Sequence, residues 1–529
     1  MGRAVLRRQD PRLLSGTPEV TSTSAPASSC ALRVWGAFAL LMALVTVPLF
    51  STVLPPLFDY PNHLARMHLL KEGGDVFYAV RWGPLPNLAE DLIVPPLARL
   101  MPLEIASRLF LGMTFGLIAG GAILLNRAAT GAWRLWPLLA FLLLYNRIFL
   151  WGFVNYLFGL GLALGGAALW LALERERRWL RIFSSSLVAL ACFFSHIAAF
   201  GFYALVISGV EAAPAFAELG ARRWPAFVRR IGIAGAQFVV PTALFLGNWQ
   251  AEAGGAVSYA GFWRKADLLF SVFDNYDRTF DVACFALFLG LIGWLAWTRR
   301  LRLMPRLGWA ACLVFAAYLL LPSQMYGGSG ADHRLPTAWF LLLVASSAPR
   351  FPSRRAAIAI GIAAASVLLV RLTVIEHVWR EADGIYSADL VGIDGLPRGV
   401  KLAVAYPADA VHVVGIPEVH LATLAIPRRE AFVPTLFALP AQQPVALRPP
   451  YLALAEAVPP QRLWAGLVGG DSIELVRLLP ALQKYDYIVF TDHRPVRVPS
   501  SRCIEPVFER PTFQIFTVVH DPGCASPEG

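Results

Sequence analysis

Apolar residues in this chain come in long runs, and the joints between the runs are rich in arginine. The first run, 34–54, is about as long as the ~20 residues a helix needs to cross a bilayer. Further runs follow at 106–125, 135–150, 153–173, 182–195, 197–213, 231–248, 280–298, 307–321, 335–349 and 356–375, which predicts about eleven transmembrane helices, several of them short. Arginines precede the first run and orient its start inward, because Lys and Arg accumulate in inward loops. Later arginines test the count. Arg127 and Arg134; Arg175, Arg177, Arg178 and Arg181; Arg222, Arg223, Arg229 and Arg230; Arg299, Arg300, Arg302 and Arg306; and Arg350, Arg354 and Arg355 fall in alternate loops. The alternation requires a break at Ser195-His196, since one merged helix there would put every later loop on the wrong side.

Two flanks differ from this pattern. Residues 1–33 mix five arginines with Ser, Thr, Pro and Gly, a composition that cannot bury enough apolar surface to fold alone, so a disordered cytoplasmic tail is expected. The 34–54 run lacks a clear small-x-small cleavage site and reads as a retained anchor rather than a signal peptide. Residues 55–105 carry many prolines and moderate amphipathicity, which predicts an outward loop with short helices along the interface. From about 380 the chain is less apolar, with strand-like runs at 410–414 and 485–490 and a helical run near 471–484. The expected organisation is a tail (1–33), an all-α multi-pass membrane domain (34–379) and a small α/β domain (380–529). An odd span count places that last domain outside, where Cys503 and Cys524 could form a disulfide.

Composition agrees with the pattern. With 57% hydrophobic and 15% charged residues among 529, the chain is too apolar for a soluble globular protein. The formal net charge of +11 sits in the inward joints, so it marks topology and not nucleic-acid binding. Cys192, Cys284 and Cys312 lie inside apolar runs and are expected to be small buried side chains. No repeat of fixed period, zinc-hydrolase motif, nucleophile elbow or dinucleotide fingerprint is present.

Candidate chemistry starts at Leu57-Phe58-Asp59-Tyr60-Pro61-Asn62-His63-Leu64-Ala65-Arg66, just past the first run. If Asp59 caps a helix beginning at Tyr60, His63 lies one turn on and Arg66 follows on the same side, so three polar groups converge at a membrane surface. The same outward loop holds Arg81, Glu90 and Asp91. The next holds Tyr145, Asn146, Arg147 and Asn155, and the third holds Ser195-His196. Glu252, Arg264, Lys265, Asp267, Asp274, Asp277, Arg278 and Asp281 lie in the fourth, and 326–334 ends the fifth with Asp332, His333 and Arg334. Several such groups on one face suggest a shared polar cavity. Plainer roles stand beside these. Asp59 could be a helix cap only, and His63 and His196 interfacial structural residues. Asp274, Asp277 and Asp281 could bind a divalent cation or only favour a helix start. Gly327-Gly328-Ser329-Gly330 reads as a turn, and His412 and His420 as structural.

A first span followed at once by an acidic outer loop, many short spans with arginine-marked inner joints, and a C-terminal α/β domain resemble the GT-C superfamily of integral-membrane glycosyltransferases. At motif level the resemblance rests on Asp59-Tyr60-Pro61-Asn62-His63, Ser195-His196 and Gly330-Ala331-Asp332-His333-Arg334. Many members carry a paired acidic motif in the first loop; here Tyr60 follows Asp59. The resemblance implies transfer of a sugar from a polyprenyl-phosphate donor to a lipid, glycan or protein acceptor. Asp59 and His63 would be catalytic, with Asp59 the base; Arg66, Arg147, His196, Asp332, His333 and Arg334 would bind substrate, arginine being suited to phosphate oxygens. Metal dependence stays open, a divalent cation being the candidate cofactor. The Ala-, Leu- and Arg-rich composition suits a bacterial inner membrane with its active face outward. A lipid or solute transporter, or a non-catalytic assembly protein, are the alternatives; most ionisable groups lie at span ends rather than mid-span, which favours the enzyme.

Overall fold

The computed structural model describes residues 27–247, 257–325, 328–412, 417–439, 442–468, 472–499, 501–521 and 524. Each of the eleven apolar runs overlaps helical segments where it is described, although the 335–349 run ends in a short strand, Ser347–Pro349. By length and composition, six helices suffice to cross a membrane: Ser28–Ser51, Leu103–Thr130, Val154–Arg175, Ile197–Gly220, Arg278–Trp297 and Arg354–Asp394. A seventh is added if Trp224–Ala236 and Val239–Gly247, bent by 55°, make one span. Trp136–Leu150, Pro305–Leu320 and Arg334–Ser346 are apolar but shorter, and Arg178–Ser195 opens with arginines and serines. Of the about eleven spans expected, several of them short, six or seven are long and apolar enough to cross a membrane among the described residues.

Boundaries move in two places. The first helix starts at Ala27, inside the segment read as tail, while 1–26 lie outside the described residues. Arg354–Asp394 runs unbroken past residue 380, so the last apolar helix continues into the C-terminal domain. The chain does break at His196, which is extended (φ −170°) between two helices.

Small residues let the helices close up. A Cβ on Gly161 would lie 2.6 Å from Leu117 Cβ, so Leu103–Thr130 and Val154–Ala172 touch backbone to side chain there. At one end of this bundle Glu211, buried, accepts from Trp170 Nε1 (2.8 Å), Arg181 Nη2 (3.2 Å), Arg306 Nη2 (3.1 Å) and Arg230 Nη1 (2.7 Å). Three arginines read as topology marks thus also clamp helices, since a buried carboxylate persists only when paired.

The C-terminal domain carries a four-stranded sheet in the order Leu402–Ala405, Tyr487–Thr491, Phe513–Val518, Ile504–Glu509; the first pair is parallel and the others antiparallel. Leu402–Ala405 is buried along its whole length, as a parallel strand covered on both faces should be. The strand expected at 410–414 is not one where it is described: Ala408–His412 is a 3₁₀ turn, and 413–414 lie outside the described residues. The expected helix near 471–484 is Ser472–Leu482. Cys503 and Cys524 are disulfide-bonded, their Cα atoms 5.6 Å apart.

This domain is sewn to the first loop. Tyr78–Val80 pairs antiparallel with Val445–Leu447; the Tyr78 hydroxyl donates to Val433 O and accepts from Val433 N, both at 2.8 Å. Phe437 N donates to Asn62 Oδ1 (2.9 Å). That seam is where the candidate site lies.

Candidate functional site

Tyr60–Glu72 is a helix with proline in its first turn, where the missing N–H costs nothing, and it ends at Gly73, whose φ of +86° suits glycine. Asp59 precedes it without capping it: the side chain makes no cap hydrogen bond. Its backbone is fixed instead. Phe58 N donates to Leu150 O (2.8 Å), Asp59 N to Trp151 O (3.2 Å), and Asp59 O accepts from His63 N (3.0 Å). Gly152, at φ +92°, lies so close that a Cβ there would stand 2.7 Å from Asp59 Cβ. The 150–152 turn therefore braces Asp59 from behind, and only glycine fits it.

His63 and Arg66 do not join Asp59 in an open cluster. His63 Nδ1 pairs closely with Glu90, and Arg66 Nε donates to Asp91 Oδ1 (2.8 Å); Arg66 and Glu90 are fully buried. These pairs lock Tyr60–Glu72 onto Ala89–Leu97, and Asn155 Oδ1 accepts from Glu90 N (2.7 Å) to hold the second helix in turn. Burial pushes the Glu90 carboxyl up, but His63 and Arg66 more than reverse this and leave it below the usual range. Asp91 stays above its usual value, because burial outweighs the attraction of Arg66. The sequence signal missed here was complementarity: two bases three residues apart and two adjacent acids in one loop.

Arg147 and His196, both expected to bind substrate, are also occupied. Arg147 pairs closely with Asp274 and lies 3.7 Å from Asp267. His196 Nδ1 accepts from Ala198 N (3.0 Å), capping Ile197–Gly220. The aspartates spaced as a cation face are divided: Asp274 goes to Arg147, Asp277 caps its helix by accepting from Phe280 N, and Asp281 accepts from Arg371 Nη1 (2.5 Å). Among the described residues no group of three or more His, Cys, Asp or Glu side chains is arranged to hold a metal ion. Glu252 and Gly327 lie outside the described residues.

The fifth-loop residues do meet Asp59, through the 151–153 segment. The His333 ring lies 5.0 Å from the Trp151 ring, and the Arg334 guanidinium sits over Phe153 at 4.4 Å, with Nη1 donating to Gly330 O (2.9 Å). Tyr156 donates its hydroxyl to Arg334 O (2.7 Å). Asp332, buried, accepts from Ser323 Oγ (2.8 Å) and Lys265 Nζ (3.3 Å) through Oδ2, while Oδ1 has no hydrogen-bond partner among the described residues. Burial lowers the His333 imidazole.

On the other side stands His420, a residue the sequence left as structural. Its Nε2 is 3.7 Å from Asp59 Oδ1, and its ring packs edge-on against Phe58 (4.9 Å) and Phe437 (5.1 Å). Burial, with His63 adding repulsion, pushes the imidazole down to about 3. The Asp59 carboxyl is pushed up to about 7 by burial, against the pull of His63, Arg66 and Arg334. A half-buried carboxyl with that proton affinity exchanges a proton near neutral pH, as a general base must.

No family model and no curated protein matches this chain. Solved structures do. ArnT from Cupriavidus metallidurans, bound to undecaprenyl phosphate, superposes with a TM-score of 0.52 at 12% identity, covering 95% of this chain and 100% of that one. The same protein in the apo state gives 0.50 at 14% identity, covering 94% and 100%. At such identity the likeness establishes the fold.

Proposed function

We propose, on the premise that this chain has the GT-C fold of ArnT, that it is a membrane glycosyltransferase taking its sugar from a polyprenyl-phosphate donor. The reading is supported by that fold together with one observation of this chain: Asp59, half-buried and braced by Gly152, carries a carboxyl poised near neutral pH that, among the described residues, neither caps a helix nor forms an ion pair closer than the 3.7 Å to His420. In the proposed reaction an acceptor hydroxyl attacks the anomeric carbon from the face opposite the phosphate. The new C–O bond forms as the bond to the phosphate oxygen breaks, the hydroxyl proton passes to Asp59, and polyprenyl phosphate leaves. Configuration is inverted in this single displacement.

Arg334, with His333 beside it, would face the phosphate, where a fixed cation offsets developing charge, while Asp332, buried and held by Ser323 and Lys265, would brace that loop. His63, Arg66, Arg147 and His196 are assigned to holding the site rather than touching substrate, because their partners account for them. The acceptor class is a lipid, glycan or protein hydroxyl at the outer face of a bacterial inner membrane, with the C-terminal α/β domain on that side. The test is sugar transfer in membranes supplied with radiolabelled polyprenyl-phosphate sugars. Asp59→Asn is expected to reduce transfer by roughly 10²–10⁴-fold at matched expression. Full transfer by that variant would remove Asp59 from the reaction.

A further inference from the structure

We propose, resting on the reading of Asp59 as the base, that His420 is its positioning residue: an imidazole from the C-terminal domain that orients the Asp59 carboxylate and sets its proton affinity. Among the described residues, four cationic or imidazole groups face Asp59. His63 and Arg66 come from its own helix, Arg334 from the helix after the Gly330 turn, and His420 from the C-terminal domain. His63 and Arg66 are already engaged by Glu90 and Asp91. His420 has Asp59 as its acid within 4 Å, and its Nδ1 has no hydrogen-bond partner among the described residues.

Among the described residues the ring is held in place by packing. Phe58, the residue before Asp59, contacts one side and Phe437, whose N–H holds Asn62, contacts another, so both rings span the seam between first loop and C-terminal domain. A neutral imidazole here presents Nε2–H to Asp59 Oδ1. The 3.7 Å separation is longer than the ~3 Å of a formed hydrogen bond and shortens to one with a small rotation of the half-buried carboxylate, as catalytic contacts do when substrate binds. With Oδ1 so engaged, Oδ2 is left to take the acceptor's proton. His420 keeps its own proton throughout and touches no reacting atom.

The experiment titrates Asp59 in the full-length protein. The infrared C=O band of a protonated carboxyl that is absent from Asp59→Asn reports Asp59, and its midpoint is read in wild type, His420→Phe and His420→Gln. Phe keeps a ring between Phe58 and Phe437 but removes the donor; losing a donor to the charged form raises the midpoint, by about one pH unit or more. Gln supplies an N–H again and returns the midpoint toward wild type. In the transfer assay His420→Phe lowers turnover roughly 10–100-fold, the size expected when an orienting partner is lost, and moves the acid limb of the rate profile up with the midpoint. A folded His420→Phe protein with unchanged thermal midpoint and unchanged Asp59 titration overturns the proposal. Should that variant fail to fold, His420→Leu is read the same way. If wild type transfers no sugar from any donor, the transferase reading falls, while the titration still decides whether His420 governs Asp59.

Discussion

Asp59 carries opposing demands at the scale of a single residue. Its carboxyl ordinarily titrates at 3.8 and here at about 7. Between those values the folded protein binds more protons than the unfolded chain, so this residue makes folding less favourable as pH rises from about 4 to about 7. Asp59→Asn removes that cost: the variant's thermal midpoint in detergent should exceed wild type by a margin that grows across the same window, up to about 4 kcal/mol in stability. A margin constant with pH would place the titration elsewhere. The catalytic rate should move the opposite way, rising with pH as the carboxylate forms. Arg66 makes the contrasting case, since it is buried and spent on Asp91. Arg66→Met leaves Asp91 without its cation, and a loss of about 3–5 kcal/mol in stability is expected, visible as lower folded yield.

At the scale of elements, the decisive piece is a turn. The 150–153 segment joins the short 147–150 helix to Val154–Ala172 and touches Asp59 on one side and His333 and Arg334 on the other. Gly152→Ala forces an L side chain into φ +92° and into Asp59. We expect it to reduce transfer at least tenfold while helical circular dichroism is kept. Gly165→Ala, in the adjoining helix where a Cβ meets nothing within 4 Å, should leave transfer unchanged and be neutral or mildly stabilising. Equal effects of the two substitutions would mean that the turn has no special part. The sequence placed this turn between two apolar runs, but the positive φ and the contact with Asp59 depend on a partner about ninety residues upstream in the chain, which a local pattern does not encode.

At the scale of the molecule, the first loop and the C-terminal domain behave as one unit, joined by the Tyr78–Val80 pairing, the Tyr78 hydroxyl, Asn62 and the His420 contact. The Cys503–Cys524 bond ties residues bracketing the last two strands of its sheet, Ile504–Glu509 and Phe513–Val518. If that domain faces the oxidising side, maleimide-polyethylene glycol applied to denatured protein from membranes should label these two cysteines only after reduction. Labelling without a reductant would place the domain on the reducing side. Removing the bond by Cys503→Ser with Cys524→Ser should cost about 3 kcal/mol of domain stability, given a separation of 21 residues, with transfer retained below the new unfolding midpoint.

The sequence by itself determined whatever depends on runs and signs. Apolar length located the helices, and arginine alternation required the break at His196. Those properties are local, because a helix in lipid satisfies its own backbone and a charge is costly wherever it enters the hydrocarbon. Tertiary structure decided which polar side chains are spent and which are left to act. His63, Arg66 and Arg147 looked equal to Asp59 in the sequence, yet each meets an acid of matching geometry, while Asp59 meets a glycine turn and a histidine from another domain. Burial and the choice of partner set the proton affinity of a carboxylate, and both arise only when distant segments pack together.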